Sequence, residues 1–339
     1  MKAIMIQQDE RHSLLWTEVE EPALRSNEVR IKGAYIVRCT GCVKDADLNR
    51  ADLMQREGDY PPPPDCPEWM GLEVSGEIVG FGEEAAEHSP FHVGDQVCAL
   101  LGGGGYAEYV NVPWGMVMPL PEGISMAEAA ALPEAFATAY LNLFWVGSLK
   151  KNDTLLMNAG ASGLASVVIP VAKAFGARVI TTIIDEEKRQ EVAKTGADRI
   201  VNTRQESIEK VLQEELAAGH PVDVAIDCLG GEVMGQCLES LRHGARWIVI
   251  AALAGQYTSI DLKNIYKRNV KIIGSTLRSK TPDEKKEILS SLVRDVWPKV
   301  KSGEVRPTIY KVMPITQAEE AHAILQRGEN VGKVVLQIK

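Results

Sequence analysis

At 339 residues the chain is long enough for two domains, because single hydrophobic cores stop growing at about 250–300 residues. Its 45% apolar and 24% charged residues are the balance of an ordinary globular protein, which excludes the disordered and fibrous classes. A net charge of −9 argues against nucleic acid or an anionic membrane as main partner, and no apolar run is long enough to span a bilayer.

The opening "MKAIMIQQDERH" alternates for six residues and then turns polar, which reads as a first strand and not as a signal peptide. A cytoplasmic location is therefore expected. The runs "NEVRIKGAYIV", "EVSGEIVGFG", "DQVCALL" and "GYAEYVNVP" are β-rich and broken by turn residues, so residues 1 to about 124 read as an all-β unit, a small barrel. Within it, Cys39 and Cys42 form a Cys-Thr-Gly-Cys pair, read as two ordinary thiols because a structural zinc needs four ligands and no second pair stands near. The segment "NRADLMQREGDYPPPP" (residues 49–64) ends in four prolines, which fix φ and cannot donate to a ladder. It is expected to be a stiff extended loop, neither helix nor central strand. Tyr60, immediately before the prolines, is either a surface aromatic or a side chain held still for chemistry.

At Ser125 the texture changes. "SMAE" is a capping box that opens an Ala-rich stretch through Leu143. The apolar runs "DTLLMNA", "ARVITTII", "RIVN", "VDVAIDCLG", "ARWIVIAALAG" and "VKIIGSTL" then alternate with helical patterns, as in a doubly wound parallel sheet. "TPDE" (281–284) reads as another capping box, "TQAE" (316–319) opens one more helix, and "VGKVVLQIK" reads as a last strand returning to the first domain. Strands near "ARWIVIAAL" and "VKIIG" offer an edge for pairing in a homodimer or homotetramer.

The strand "DTLLMNA" runs into Gly160-Ala161-Ser162-Gly163-Leu164-Ala165 and then a helix. Against G-x-G-x-x-G/A, Gly160 makes the tight turn, Ser162 takes the second glycine's place and Ala165 the third. The helix start offers N–H groups and a positive dipole end to a pyrophosphate. Asp185 follows the second strand, where an acid holds the ribose 2′-hydroxyl of NAD, yet Lys188 and Arg189 are placed to meet a 2′-phosphate. The residues alone leave the two dinucleotides open.

"MGLEVSGEIVGFG", "VGDQVCALLGGGGYAEYVNVP", "AGASGLA" and the terminal "NVGKVVLQI" together resemble the medium-chain dehydrogenase/reductase superfamily along nearly the whole chain. "LNRADLMQREGDYPPPP" with "LPEAFATAY" resembles its zinc-free branch, the NADPH:quinone oxidoreductase group. The resemblance implies an α/β-plus-β fold: a GroES-like β-barrel catalytic domain (1–124 and 295–339) and a doubly wound Rossmann dinucleotide-binding domain (125–294). It also implies no zinc, since Gly71-Leu72-Glu73 carries Leu where the zinc enzymes carry a His ligand.

The same resemblance places Asn49, Tyr60 and Ser162 around the nicotinamide and the substrate carbonyl, and Thr138 beside the carboxamide. A phenol, with an ordinary pKa of about 10, keeps its proton at neutral pH and can donate to a carbonyl oxygen that gains charge. The glycine turn Gly102–Gly105, Leu277 with Arg278, and Asn330, Gly332 and Lys333 match segments flanking the cofactor. Gly160, Ala161, Gly163 and Leu164 match the phosphate loop. Asp185 stands where NADPH-using relatives carry Ser and Thr203 where they carry Tyr, whereas Lys188 fits the NADPH pattern, so NADPH is expected with NADH open. The implied activity is hydride transfer to a quinone or another conjugated carbonyl. A 2-enoyl thioester reductase is the alternative, and a nucleotide-bound structural or RNA-binding protein the alternative of another class.

Overall fold

Six short apolar runs in the second half of the chain have no polar face to turn to water. The computed structural model, which describes residues 1–38 and 51–338, assembles them into an all-parallel sheet. Across the sheet the strands are Arg199–Asn202, Arg178–Ile183, Thr154–Met157, Val222–Asp227, Leu241–Val249 and Lys271–Gly274. The winding reverses between Thr154–Met157 and Val222–Asp227, and open α/β sheets bind ligands beyond the carboxyl ends of strands at such a point. Every residue of those two strands is buried. Lys271–Gly274 is the edge, with Ile272 41% exposed.

The last strands return to the first half, as the sequence predicts. Ile309–Pro314 and Lys333–Gln337 pair in parallel, and Lys333–Gln337 pairs antiparallel with Glu28–Arg38. That sheet continues through Glu73–Phe81, Gln96–Leu100 and Val117–Pro119, while Tyr109–Pro113 pairs on the early part of Glu28–Arg38. A hairpin of Lys2–Ile6 and Leu14–Glu18 stands beside it. Helices Pro133–Tyr140 and Pro282–Lys301 join the two sheets: Phe136 meets Trp297 edge-on, and Trp297 Nε1 donates to the Pro119 carbonyl at 2.8 Å. Among the described residues no helix is long and apolar enough to cross a membrane.

The capping boxes at Ser125/Glu128 and Thr281/Glu284 form as predicted. "TQAE" opens a helix as expected: Ile315–Gln317 is a 3₁₀ turn, and the helix Ala318–Gln326 follows it. Glu319, in its first turn, accepts from the Arg56 guanidinium at 2.5 Å and from the Leu14 N–H at 3.0 Å, the former a charge-assisted tertiary bond.

The first half is not all-β, since Glu83–His88 and Ala51–Glu57 are helical. The segment before the prolines is thus a helix and not an extended loop. Proline restricts itself and its immediate predecessor, and the seven residues Ala51–Glu57 lie beyond that reach. Gly58, at φ +88°, closes the helix, with its N–H on the Gln55 carbonyl and that of Asp59 on the Met54 carbonyl. Arg56 is 8% exposed and donates to the carbonyls of His12 and Arg11.

One buried ion pair ties these parts together. Glu73 and Lys333 open adjacent regions of the seven-stranded sheet, each side chain 1% exposed, with Lys333 Nζ 2.7 Å from Glu73 Oε1. The other oxygen, Oε2, accepts the Glu134 N–H at the start of the helix Pro133–Tyr140, 2.9 Å away. Burial pushes the Glu73 carboxyl up against the pull of Lys333. Removing one partner leaves an uncompensated buried charge, so Lys333→Met is expected to lower stability by about 3–5 kcal/mol. The double variant Glu73→Leu/Lys333→Met recovers part of that loss. Urea unfolding of the two variants measures both effects.

Candidate active site

Between the sheets opens a cleft of about 460 Å³. The antiparallel half contributes Tyr60, Leu72 and the stretch Leu100–Gly102. The helix Pro133–Tyr140 and the wide turn after it contribute Glu134, Thr138 and Asn142, spaced four apart and so on one face. Leu164 enters from the glycine loop, Ile250–Leu253 from the end of Leu241–Val249, and Ser275–Arg278 with Lys285 from the segment beyond the edge strand. Of the residues expected at the site, Tyr60, Gly102, Thr138, Leu164, Leu277 and Arg278 meet here.

Tyr60 is held on two sides. The Arg278 guanidinium carbon lies 3.8 Å from its ring centroid, a cation–π stack, and Arg278 Nη2 donates to the Gly102 carbonyl at 3.1 Å. The proline loop meanwhile packs onto the glycine turn. A Cβ on Gly102 would sit 2.7 Å from Cys66 Sγ, and one on Gly104 2.9 Å from the Pro67 ring. The glycines are needed because the loop that carries Tyr60 rests directly on their backbone. Trp69 Nε1 fastens the same turn through the Gly104 carbonyl at 2.8 Å.

The glycine loop lies at the end of Thr154–Met157. The residue with the left-handed backbone is Ala159, at φ 57°, and not Gly160. Gly160 is required for closeness instead, because a Cβ there would overlap the Thr181 side chain while its N–H donates to the Thr182 carbonyl at 2.7 Å. Ser162 is fully buried, and its Oγ accepts the Ala165 N–H at 3.0 Å, at the first residue of the helix Ala165–Ala174. The N–H groups of Ala161, Gly163 and Leu164 have no acceptor among the described residues, the arrangement an anionic pyrophosphate fits. Asp227, fully buried at the end of its strand, accepts from Asn158 Nδ2, Trp247 Nε1 and the Leu229 and Gly230 N–H groups, fixing the loops on both sides of the crevice.

A smaller recess beside the loop is lined by Ala159, Ala161, Asp185, Lys188 and Thr203 among others. Here Asp185 pairs with Arg204 at 2.9 Å, and Lys188 Nζ donates to the Gly328 carbonyl at 2.8 Å. Asn330 is fully buried next to Val331, which packs on Ala161 and Ile183; its Oδ1 has no partner, and its Nδ2 donates to Gly332. Lys333 does not line either space, its ammonium being taken by Glu73. Asn49, like Cys39 and Cys42, lies outside the described residues.

Arg204, Glu134, Asn142, Ser275 and Lys285 escaped the sequence reading. Glu134 and Asn142 were accessible from Thr138 by helical spacing alone. Arg204 carried no such signal, because only the sheet brings it to Asp185.

Leu72 lines the cleft with a side chain that offers no ligand atom, and no cluster of three or more His, Cys, Asp or Glu among the described residues is arranged to hold a metal ion. Burial, with the neighbouring Glu73 charge, pushes the Glu134 carboxyl up to about 7. Burial and the adjacent Arg278 hold the Lys285 amine below its usual range.

Two family models match the chain, an alcohol dehydrogenase GroES-like domain over residues 39–122 and a zinc-binding dehydrogenase over residues 163–294. The chain is 30% identical over 331 residues to the quinone oxidoreductase-like protein 2 homolog of Nematostella vectensis, which covers 96% of this chain and 89% of that one. Mouse quinone oxidoreductase is 27% identical over 325 residues, covering 95% and 92%. The chain belongs to the quinone oxidoreductase group of the medium-chain dehydrogenase/reductase superfamily. A solved mycobacterial quinone oxidoreductase superposes over all of both chains with a TM-score of 0.85 at 24% identity, so the superfamily's fold extends end to end. The chain is accordingly an oxidoreductase, and the two-sheet cleft is its candidate active site.

Because Glu134 gives up its proton near pH 7 in the folded state and at about 4.3 when unfolded, the native state holds the extra proton between those values. Stability is therefore lost as pH rises through that window. Glu134→Gln abolishes this loss, so its melting temperature relative to the parent protein should climb between pH 5 and pH 8. Thermal melts across that range read the difference.

Proposed function

We propose that this chain reduces a quinone or another conjugated carbonyl with hydride from NADPH and without a metal. The observation that carries the reading is Tyr60, a phenol pinned by Arg278 and the proline loop in the cleft between the sheets. The N–H groups of the glycine loop that lack an acceptor among the described residues would hold the cofactor's pyrophosphate, and the Asp185 recess its adenosine end. The orphaned Oδ1 atoms of Asn142, in the cleft, and Asn330, beside the loop, suit a ligand with amide or hydroxyl donors. When bound, the reduced nicotinamide supplies the hydride.

The chain's own residues supply the rest. As negative charge develops on the substrate oxygen, the Tyr60 hydroxyl donates a hydrogen bond to it, in the place a Lewis acid takes in the zinc enzymes. Arg278 over the ring restricts its rotational freedom. Leucine at position 72 supports the metal-free reading. Tyr60→Phe keeps the stacked ring and removes only the donor, so kcat/KM for a quinone is expected to fall about 10²–10³-fold with cofactor binding retained. Steady-state kinetics with a benzoquinone, alongside a cofactor titration, measures both.

For the cofactor, Arg204 and Lys188 supply cations beside Asp185. With NADPH, Arg204 leaves Asp185 for the 2′-phosphate; with NADH, Asp185 receives the 2′-hydroxyl. A charge-assisted bond of about 1.5–3 kcal/mol makes Arg204→Ala weaken NADPH about 10–100-fold while leaving NADH nearly as before. Nicotinamide fluorescence titrations with both dinucleotides decide it.

Glu134 favours a second reading, reduction of a 2-enoyl compound, in which hydride reaches one alkene carbon and a proton the other. A carboxyl in the cleft wall that keeps its proton up to about pH 7 meets that need. Turnover of NADPH with any of these acceptors would set aside a purely structural or RNA-binding role.

A further inference from the structure

Two cations share one wall of the cleft, and among the described residues no carboxylate is within ion-pair distance of either, Glu134 acting on Lys285 only from further off. Arg278 is spread over Tyr60 and tied to the Gly102 carbonyl. Lys285, in the first turn of Pro282–Lys301, donates to the Arg278 carbonyl oxygen at 3.1 Å. Both line the cleft, and neither forms an ion pair with a carboxylate among the described residues. Glu134, the acidic side chain that the described residues put on that lining, pairs with neither. Ser275 stands on the same wall, 8% exposed, its Oγ buried without a hydrogen-bond partner among the described residues.

Holding two like charges together in a partly desolvated wall is unfavourable unless something compensates them. A neutral quinone would satisfy the apolar surfaces of Leu72, Leu100 and Leu253 and the Tyr60 hydroxyl, and leave both cations and the serine unmatched. An anionic group between them answers all three at once, and Arg presents the planar donor fork that a carboxylate matches.

Given the cleft as the reductase site, the geometry points to a substrate that bears a carboxylate next to its reducible conjugated group, bound by Arg278, Lys285 and the Ser275 hydroxyl beside Tyr60. The preferred substrate class is thus a small unsaturated acid and not a neutral quinone. The other source of negative charge, the cofactor's pyrophosphate, already has the free N–H groups of the glycine loop.

The test is calorimetric titration of the whole protein with cinnamate and with cinnamamide, each with and without saturating NADPH. Cinnamate is expected to bind at least tenfold more tightly than the amide, and to do so with NADPH in place. Lys285→Met removes most of that difference; Arg278→Leu does the same, and because it also frees Tyr60, the Lys285 variant is the decisive one. Equal affinities for acid and amide would overturn the assignment, as would a preference that survives Lys285→Met. Displacement of cinnamate by NADPH would overturn it too, giving the cations to the cofactor's phosphates. Quinone-dependent oxidation of NADPH is read separately. A protein that oxidises NADPH with a neutral quinone yet does not distinguish the probes keeps the reductase reading and loses this one.

Discussion

The contact on which the rest of the architecture depends is the buried pair of Glu73 and Lys333. It joins a strand from the first quarter of the chain to the last strand of all, and its second oxygen holds the N-terminus of the helix that lines the cleft. Two charges taken out of water are costly, and here the geometry compensates them only because both strands and the helix arrive together. The pair therefore acts as a registration point. If the final strand shifted by one residue, Lys333 would turn to the other face of the sheet and Glu73 would be left alone. Glu134, and with it the polar face of the cleft, is positioned from the same anchor.

The cleft itself is assembled from segments remote in sequence, each immobilised by a different device. Prolines stiffen the loop behind Tyr60, glycines let that loop lie on a neighbouring turn, and a guanidinium from beyond residue 270 closes over the ring. The glycine loop is shaped by Thr181 and Thr182 from the adjacent strand and by Asp227 from the next. Side chains held by several independent contacts lose little freedom when a ligand binds.

Electrostatically the cleft is two cations set near an acid that burial and Glu73 keep partly protonated at neutral pH. Glu134 therefore offsets Lys285 and Arg278 only in part. The same buried pair that organises the fold thus sets the charge that a ligand meets.

Local chemistry was enough to determine much of this protein. Parallel strands buried on both faces are apolar throughout, two capping boxes mark helix starts by pairing Ser125 with Glu128 and Thr281 with Glu284, and a glycine pattern between strand signals marks the tight strand-to-helix turn after Thr154–Met157. Each is an interaction between residues close in the chain, so its signature is contiguous. Tertiary structure alone decided the remainder. It made Ala51–Glu57 a helix, brought Glu319 to Arg56, gave the left-handed turn to Ala159, and took Lys333 into the core. It also brought Arg204 to Asp185 and Arg278 to Tyr60. These outcomes rest on which distant charge, carbonyl or ring is nearest once the sheets have formed, and no short stretch of sequence records that distance.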